Sequence, residues 1–341
     1  MKSSMKHFRE NKRNLPYIYG IAVLLLLVSA LCGILLGSTE LGISDLFRAL
    51  FGGEYDSPAA RIFRYVRLPR TCACLLCGAA LAVSGAVIQN VLANRLASPS
   101  MIGVNAGAGL AVTLCSALGI VGGWRTSLFA FLGAFVTVMV VSLGAKKFGA
   151  SRGTVLLLGV ALNSLLGAAS DTVTTLAPDA AVMSNDFRIG DFSSATYAKV
   201  IPAAVCILAA LLILFTLSSE LDVLTLGDEN ARGLGMNTGV LRVIFLLLAA
   251  LLAGAAVGVA GLLSFVGLLV PHAVRAVSTG QSRHLLPLCA LFGAGFVTLC
   301  DTLARVVFAP YEIPVGIMMA FFGAPFFIFL LIRRKGGHSH A

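Results

Sequence analysis

The stretch IAVLLLLVSALCGILLG (21–37) decides the fold class. It carries no charge and matches the ~17–20 residues needed to cross a bilayer as a helix. Comparable runs lie at about 17–37, 71–92, 100–119, 125–145, 154–176, 199–218, 238–260, 285–306 and 314–332. Between 261 and 284 a shorter apolar stretch, FVGLLVPHAVRAV, is broken by Pro271 and reads as a short further helix, since non-regular backbone is tolerated in a membrane when buried in protein. Composition agrees: 58% of the chain is hydrophobic and 12% charged, against about 25% charged in a soluble domain. A β-barrel is excluded, because its strands alternate apolar and polar residues while these runs are apolar all round. The expected fold is an all-α polytopic membrane protein of about ten transmembrane helices. Residues 1–341 read as one transmembrane domain, with a leader at 1–16, a polar loop at 219–237 and a tail at 333–341.

The formal charge of +10 points to the positive-inside rule rather than to nucleic acid. Lys2, Lys6, Arg9, Lys12 and Arg13 precede the first run, which reads as a retained span with a cytoplasmic N-terminus. It is long for a signal peptide and lacks a small-residue cleavage site. An even number of spans returns the C-terminus to the same side. Arg95, Lys146, Lys147, Arg152, Arg232, Arg242, Arg275, Arg283, Arg333, Arg334 and Lys335 then join those five inside, 16 of the 25 Lys and Arg. Arg48, Arg61, Arg64, Arg67 and Arg70 form a basic cluster on the opposite, external side.

Small residues spaced four apart, Gly33/Gly37, Gly103/Gly107, Ala250/Gly254/Gly258 and Gly316/Ala320/Ala324, mark helix-packing seams. GAALAVSG (78–85) and AGAAVGVAG (253–261) are alike and hint at an internal repeat.

No P-loop, HExxH or GxSxG occurs, and no His/Cys set has metal spacing. The chain is therefore expected to be a non-catalytic subunit with no cofactor. The eight cysteines, including the Cys74/Cys77 pair, sit in apolar segments and read as small core residues. The GGHSH tail (336–340) reads as solvated. Asp301 and Arg305, four residues apart, share a helix face and can pair; Arg305, near the outer end, could also face a partner. Asp171 sits late in the fifth span. His272 and Arg275 share the short helix around Pro271, where His272 reads as packing rather than as a ligand or proton relay. The polar segment SELDVLTLGDENARGLGMN (219–237) reads as two short helices broken at Gly227. Asp228 and Glu229 fall in the first turn of the second, where the helix dipole favours acids. Such a compact pair suits a docking surface for a cytoplasmic subunit.

Eight motifs run in order along nearly the whole chain: RLPR (67–70), GAALAVSGAVIQ (78–89), LASPSMIGVNAGAG (96–109), LLLGVALN (156–163), LDVLTLGDENARGLG (221–235), FVGLLVPHAVR (265–275), CDTLAR (300–305) and EIPVGIMMAFFGAPFF (312–327). With these the chain resembles the permeases of type II ABC importers, the FecCD-like family that moves iron siderophores, haem and cobalamin.

That resemblance implies a permease in a bacterial cell membrane, paired with a second copy or paralogue as a homo- or heterodimer. Two ATP-binding cassette ATPase subunits would lie below, and an extracytoplasmic substrate-binding protein would deliver the cargo. Ferric siderophore leads as cargo, with haem and cobalamin following. Arg67, Arg70 and Arg305 match the binding-protein docking positions, and Asn94, Leu96, Ser151 and Arg152 match the cytoplasmic gate. Leu226, Gly227, Asp228, Glu229, Ala231 and Gly235 match the ATPase-coupling loop. Two departures stand out: Arg95 replaces the family's proline at the gate, and NDFRIGDFSS (185–194) lacks the family's Trp and Gly-Ser pair. The rival class is a stand-alone secondary transporter or channel, which would move substrate without an ATPase.

Overall fold

The computed structural model describes residues 2–37, 57–147 and 152–335, with side chains over 14–37, 57–147 and 152–328. Arg48, Ser151 and the 336–340 tail lie outside the described residues. Among the described residues, seven helices are long and apolar enough to cross a membrane, and three shorter apolar helices accompany them. The order is α1 (Lys2–Leu35), α2 (Pro58–Val91), α3 (Val104–Ala117), α4 (Gly123–Lys147), α5 (Arg152–Leu176), α6 (Pro178–Ile189), α7 (Tyr197–Thr216), α8 (Ser218–Thr225), α9 (Asp228–Gly233), α10 (Thr238–Ala260), α11 (Val266–Val277), α12 (Ser282–Val306) and α13 (Val315–Lys335).

Helix α2 begins well before the hydropathic span. Ser57 caps it by accepting the Ala60 N–H at 3.2 Å, and Pro58 occupies its first turn, where a missing N–H is harmless. A π-turn at Phe63–Arg67 follows; its extra residue shifts the phase of the preceding turns relative to the rest of the helix. Arg61, Arg64, Arg67 and Arg70 therefore lie on a helix rather than in a loop. Helix α6 was not anticipated: PDAAVMSNDFRI is too polar to read as a span, and Pro178 at its first turn was the available signal.

The centre of the bundle is α2 packed along α10 and α12. In its most apolar window α2 is 83% buried, whereas α5 is only 11% buried. Glycines set the spacing. A Cβ on Gly85 would lie 1.9 Å from the Gly267 carbonyl oxygen, and one on Gly78 would lie 2.3 Å from that of Gly293. Helices α2/α11 and α2/α12 thus touch backbone to backbone, as α3 and α4 do at Gly107 and Gly133. Lipid gives no apolar drive for helix association, so close van der Waals approach supplies it. Of the seams read from the sequence, Gly107, Gly258 and Gly316 each meet backbone atoms of another element. The two resembling stretches, 78–85 and 253–261, lie on the adjacent helices α2 and α10.

At one end, three chain segments interlock. The Asp191 N–H donates to the Ala260 carbonyl, the Leu262 N–H to Phe187 and the Gly316 N–H to Gly190, at 2.8–3.1 Å. The segment 185–194 therefore ties α6 to α10 and α13. The eight cysteines are free thiols; five are buried and Cys32, Cys72 and Cys206 are half-buried.

Candidate functional site

Two polar assemblies lie at opposite ends of the bundle. The first gathers Arg67, Arg70 and Arg305. Arg67 and Arg70 were expected in an external basic cluster and Arg305 near the outer end of its span, but each is at most 4% exposed. Arg70 forks onto Asp301, with Nη2 at 2.9 Å and Nε at 3.1 Å from Oδ1. Its Nη1 reaches Glu312 at 2.7 Å, and Asp191 lies 3.8 Å away. Arg305 pairs with Asp301 from the next turn at 3.0 Å, the expected i, i+4 pair. Asp301 is thus the shared anion of two guanidiniums, and it is fully buried.

Arg67 and Arg305 also cap the end of α1. Arg67 donates to the Ile34 and Leu35 carbonyls at 3.1 and 2.6 Å, and Arg305 to Leu36 and Gly33 at 3.0 and 3.2 Å. The last carbonyls of a helix lack intrahelical donors and carry the negative end of its dipole. Two buried cations satisfy both demands. Gly37 leaves room for this: a Cβ there would lie 3.0 Å from an Arg67 terminal nitrogen.

The second assembly surrounds α8 and α9. They meet at Gly227, whose φ of 104° favours glycine. Asp228 opens α9 and accepts from Arg242 at 2.8 Å, with Arg152 at 3.5 Å. Burial works to raise the Asp228 carboxyl; the Arg242 hydrogen bond and the Arg242, Arg152 and Arg232 charges outweigh it, so its pKa lies below the ordinary aspartate value. The carboxylate thus stays charged at neutral pH, and its stabilising pairs are lost only as acid protonates it. Arg152, matched to the gate through the resemblance, also donates to the Leu224 carbonyl at 2.8 Å, which ties the first turn of α5 to this helix pair. Ala231 is buried, while Leu226 and Leu234 are 59% and 65% exposed. Glu229 and Gly235 are exposed as well.

Behind α8 runs a chain of polar contacts. The Ser282 N–H donates to both Asp222 oxygens at 2.9 and 3.2 Å, which caps the start of α12. Asn90 donates to the Ser282 hydroxyl at 3.1 Å and accepts from Arg275 at 2.8 Å. Arg275 also donates to Gln89, whose amide reaches the Gly267 carbonyl at 3.1 Å. Sequence reasoning singled out Arg275 but missed Asp222, Asn90 and Gln89; Gln89 and Asn90 at the end of an apolar helix were the visible signal. Half-buried His272 lies on the same helix as Arg275.

The loop after α2 turns sharply, with Ala93 at φ 46°. The Asn94 side-chain oxygen accepts the Leu96 N–H at 2.9 Å. Leu96 and Arg95 are exposed. Among the described residues, no group of three or more His, Cys, Asp or Glu side chains is placed to hold a metal ion.

The profile of the FecCD transport family matches residues 24–333 of the chain. The chain belongs to the FecCD transport family. This FecCD chain is 36% identical to the uncharacterized ABC transporter permease protein YvrB of Bacillus subtilis, over 96% of its own length and 97% of that protein. It is 34% identical to the Fe(3+)-citrate import system permease protein YfmD of Bacillus subtilis, over 96% and 97% of the two chains. Other relatives are permeases named for hemin, iron(3+)-hydroxamate and vitamin B12. A solved inward-facing structure of a metal-chelate type ABC transporter superposes with a TM-score of 0.82 at 28% identity, covering 93% of this chain and 99% of that one. The FecCD chain is therefore a multi-pass membrane permease of the type II ABC importer fold, from a family of transport subunits.

Proposed function

We propose that the chain forms half of the translocation pathway of an ATP-driven importer for a ferric chelate, with haem and then cobalamin as the less favoured cargoes. Two ATPase subunits would engage α8 and α9, an external binding protein would deliver cargo at the Arg70 end, and a second copy or paralogue would complete the pathway. The observation carrying this reading is how α8 and α9 are held. Asp222, Asp228, Arg152 and Arg242 fix them to α12, α5 and α10, while Leu226 and Leu234 remain exposed. A polar knob braced against three helices is suited to receiving force from a partner. Its end of the bundle also carries the exposed cations Arg95, Lys146, Lys147 and Arg232, in keeping with cytoplasmic termini.

The open face of α5 suits the pathway wall. Ser164, Thr172 and Thr175 are exposed on it and bond to carbonyls of their own helix at 2.7–3.2 Å, so they offer a polar surface without a tight pocket. Exposed Asp171 lies on the same helix.

At the opposite end, Arg67, Arg70 and Arg305 would serve docking from beneath the surface. Glu312 is 33% exposed, so an acid of the binding protein could take its place on Arg70.

Gly227→Val tests the coupling. No atom crowds a Cβ there, but φ is unsuited to a β-branched residue. The expected result is membrane insertion as in the parent and ATP-dependent uptake reduced about tenfold or more. Normal uptake with normal coupled ATP turnover would sink the assignment.

Leu96→Cys tests the gate. On a background freed of the native cysteines, it should cross-link to its twin across a homodimer axis, with a yield that changes on adding nucleotide. A paralogue pair would cross-link only between matched positions of the two chains. A nucleotide-independent yield in either case would remove residues 94–96 from the gate.

A further inference from the structure

Between the loop after α2, helix α8 and the α11–α12 connection lies a cavity of about 400 Å³. Arg95, Arg275, Asn90, Asp222, Ser278 and Thr279 are among its lining residues. Two of these are cations, and Arg95 is close enough for its charge to act on Arg275. Neither has a carboxylate within salt-bridge distance among the described residues. The one acid in the wall, Asp222, is occupied: both of its oxygens accept the Ser282 N–H.

Arg275 is held, but by neutral groups. Its terminal nitrogens donate to the Gln89 and Asn90 side-chain oxygens. Those amides are fixed in turn by the Gly267 carbonyl and the Ser282 hydroxyl. A guanidinium has five N–H donors, so donors remain for a ligand. The buried Thr279 hydroxyl is a further polar atom of the wall, with no hydrogen-bond partner among the described residues. A pre-positioned guanidinium, a second cation and a spare hydroxyl, set against a single carboxylate whose oxygens are already bonded to a backbone N–H, favour an oxyanion. Planar two-oxygen groups suit the guanidinium fork best.

We infer that Arg95 and Arg275 receive a carboxylate arm of the cargo as it leaves the pathway, which makes that cargo an anionic, carboxylate-bearing ferric chelate. The inference rests on the proposed importer function and on reading residues 94–96 as the exit gate.

The test is equilibrium binding of labelled citrate, and of its ferric complex, to the permease–ATPase complex in nanodiscs at fixed ionic strength. A neutral ferric trihydroxamate serves as the comparison. Expected are saturable citrate binding, an affinity loss of about tenfold in Arg275→Gln and a smaller loss in Arg95→Pro. Arg95 is exposed, so its replacement keeps the test valid if Arg275→Gln folds poorly. Equal citrate affinity in the parent and both variants would overturn the inference. So would absent citrate binding combined with poor ATPase recovery in Arg275→Gln, which would give the cavity to an acidic side chain of the ATPase. ATP-dependent uptake of the trihydroxamate with no citrate site would refute the inference and leave the importer reading standing.

Discussion

Asp301→Ala is expected to leave little folded permease in the membrane. Asp301 is fully buried and is the shared counter-ion of Arg70 and Arg305. Removing it leaves Arg305 without an acid partner among the described residues, and Arg70 with only Glu312 and the more distant Asp191. Breaking a buried pair by deleting one partner costs about 3–5 kcal/mol, and here one deletion strands Arg305 and takes the bidentate partner from Arg70. The damage extends to α1, because Arg305 also caps the Gly33 and Leu36 carbonyls. The check is the yield of monodisperse protein and its thermal unfolding in detergent. A triple change supplies the control: Asp301→Leu with Arg70→Met and Arg305→Met removes the three buried charges and leaves only the partly exposed Glu312 and Asp191, and apolar replacement of buried ionic groups is often tolerated. The triple variant should unfold at a higher temperature than Asp301→Ala. If the single variant is as stable as the parent, the cluster has no structural role. The same geometry bears on docking: reversing Arg67 and Arg70 to glutamate would place new acids beside Asp301 and Glu312, so lost uptake alone would not identify a docking residue.

Gly85→Ala should be the second most damaging change, although it adds a single methyl group. The added carbon would fall 1.9 Å from the Gly267 carbonyl oxygen, whereas ordinary contact begins near 3.4 Å. The obstacle is backbone on both sides, so no side-chain rotation relieves it. Either α2 and α11 move apart or the helices distort, and overpacking of this kind costs typically 1–3 kcal/mol and occasionally more. Gly167→Ala on α5 provides the contrast, since nothing lies within 4 Å of a Cβ there. Alanine is the better helix former by about 1 kcal/mol, so that variant should match or exceed the parent. Thermal unfolding of both decides it. Equal midpoints for Gly85→Ala and the parent would mean that α2 and α11 are not in backbone contact.

Much of the architecture was legible because hydropathy and helix period carry it. The span read at 238–260 coincides with α10, and the break at Gly227 separates α8 from α9 as expected. The Asp301–Arg305 pair was visible because one helix turn brings the two side chains together. Arg70 was not legible in the same way. Its partner lies 231 positions away, and hydropathy counts a cluster of arginines as external surface. The same blindness hid the start of α2, where RIFRYVR reads as a loop until its charges are known to be buried. Some glycine seams were recognisable, but Gly85 was not among them: nothing local tells Gly85 that it will meet Gly267. Arg152 was matched to the gate by resemblance alone; its bonds to Leu224 and Asp228 depend on a fold that brings α5 to α8.

The attachment at Arg152 makes α5 a lever. The helix is gripped by residues 224 and 228 at its first turn and is the least buried of the spanning helices. Its 25 residues extend about 37 Å at 1.5 Å per residue. Rocking its base by about 5° would swing the far tip, with Asp171 and Thr175, through roughly 3 Å, about two residues of helical rise. A displacement too small to break any contact around Asp228 would thus arrive at the opposite end of the bundle amplified to the width of an atom.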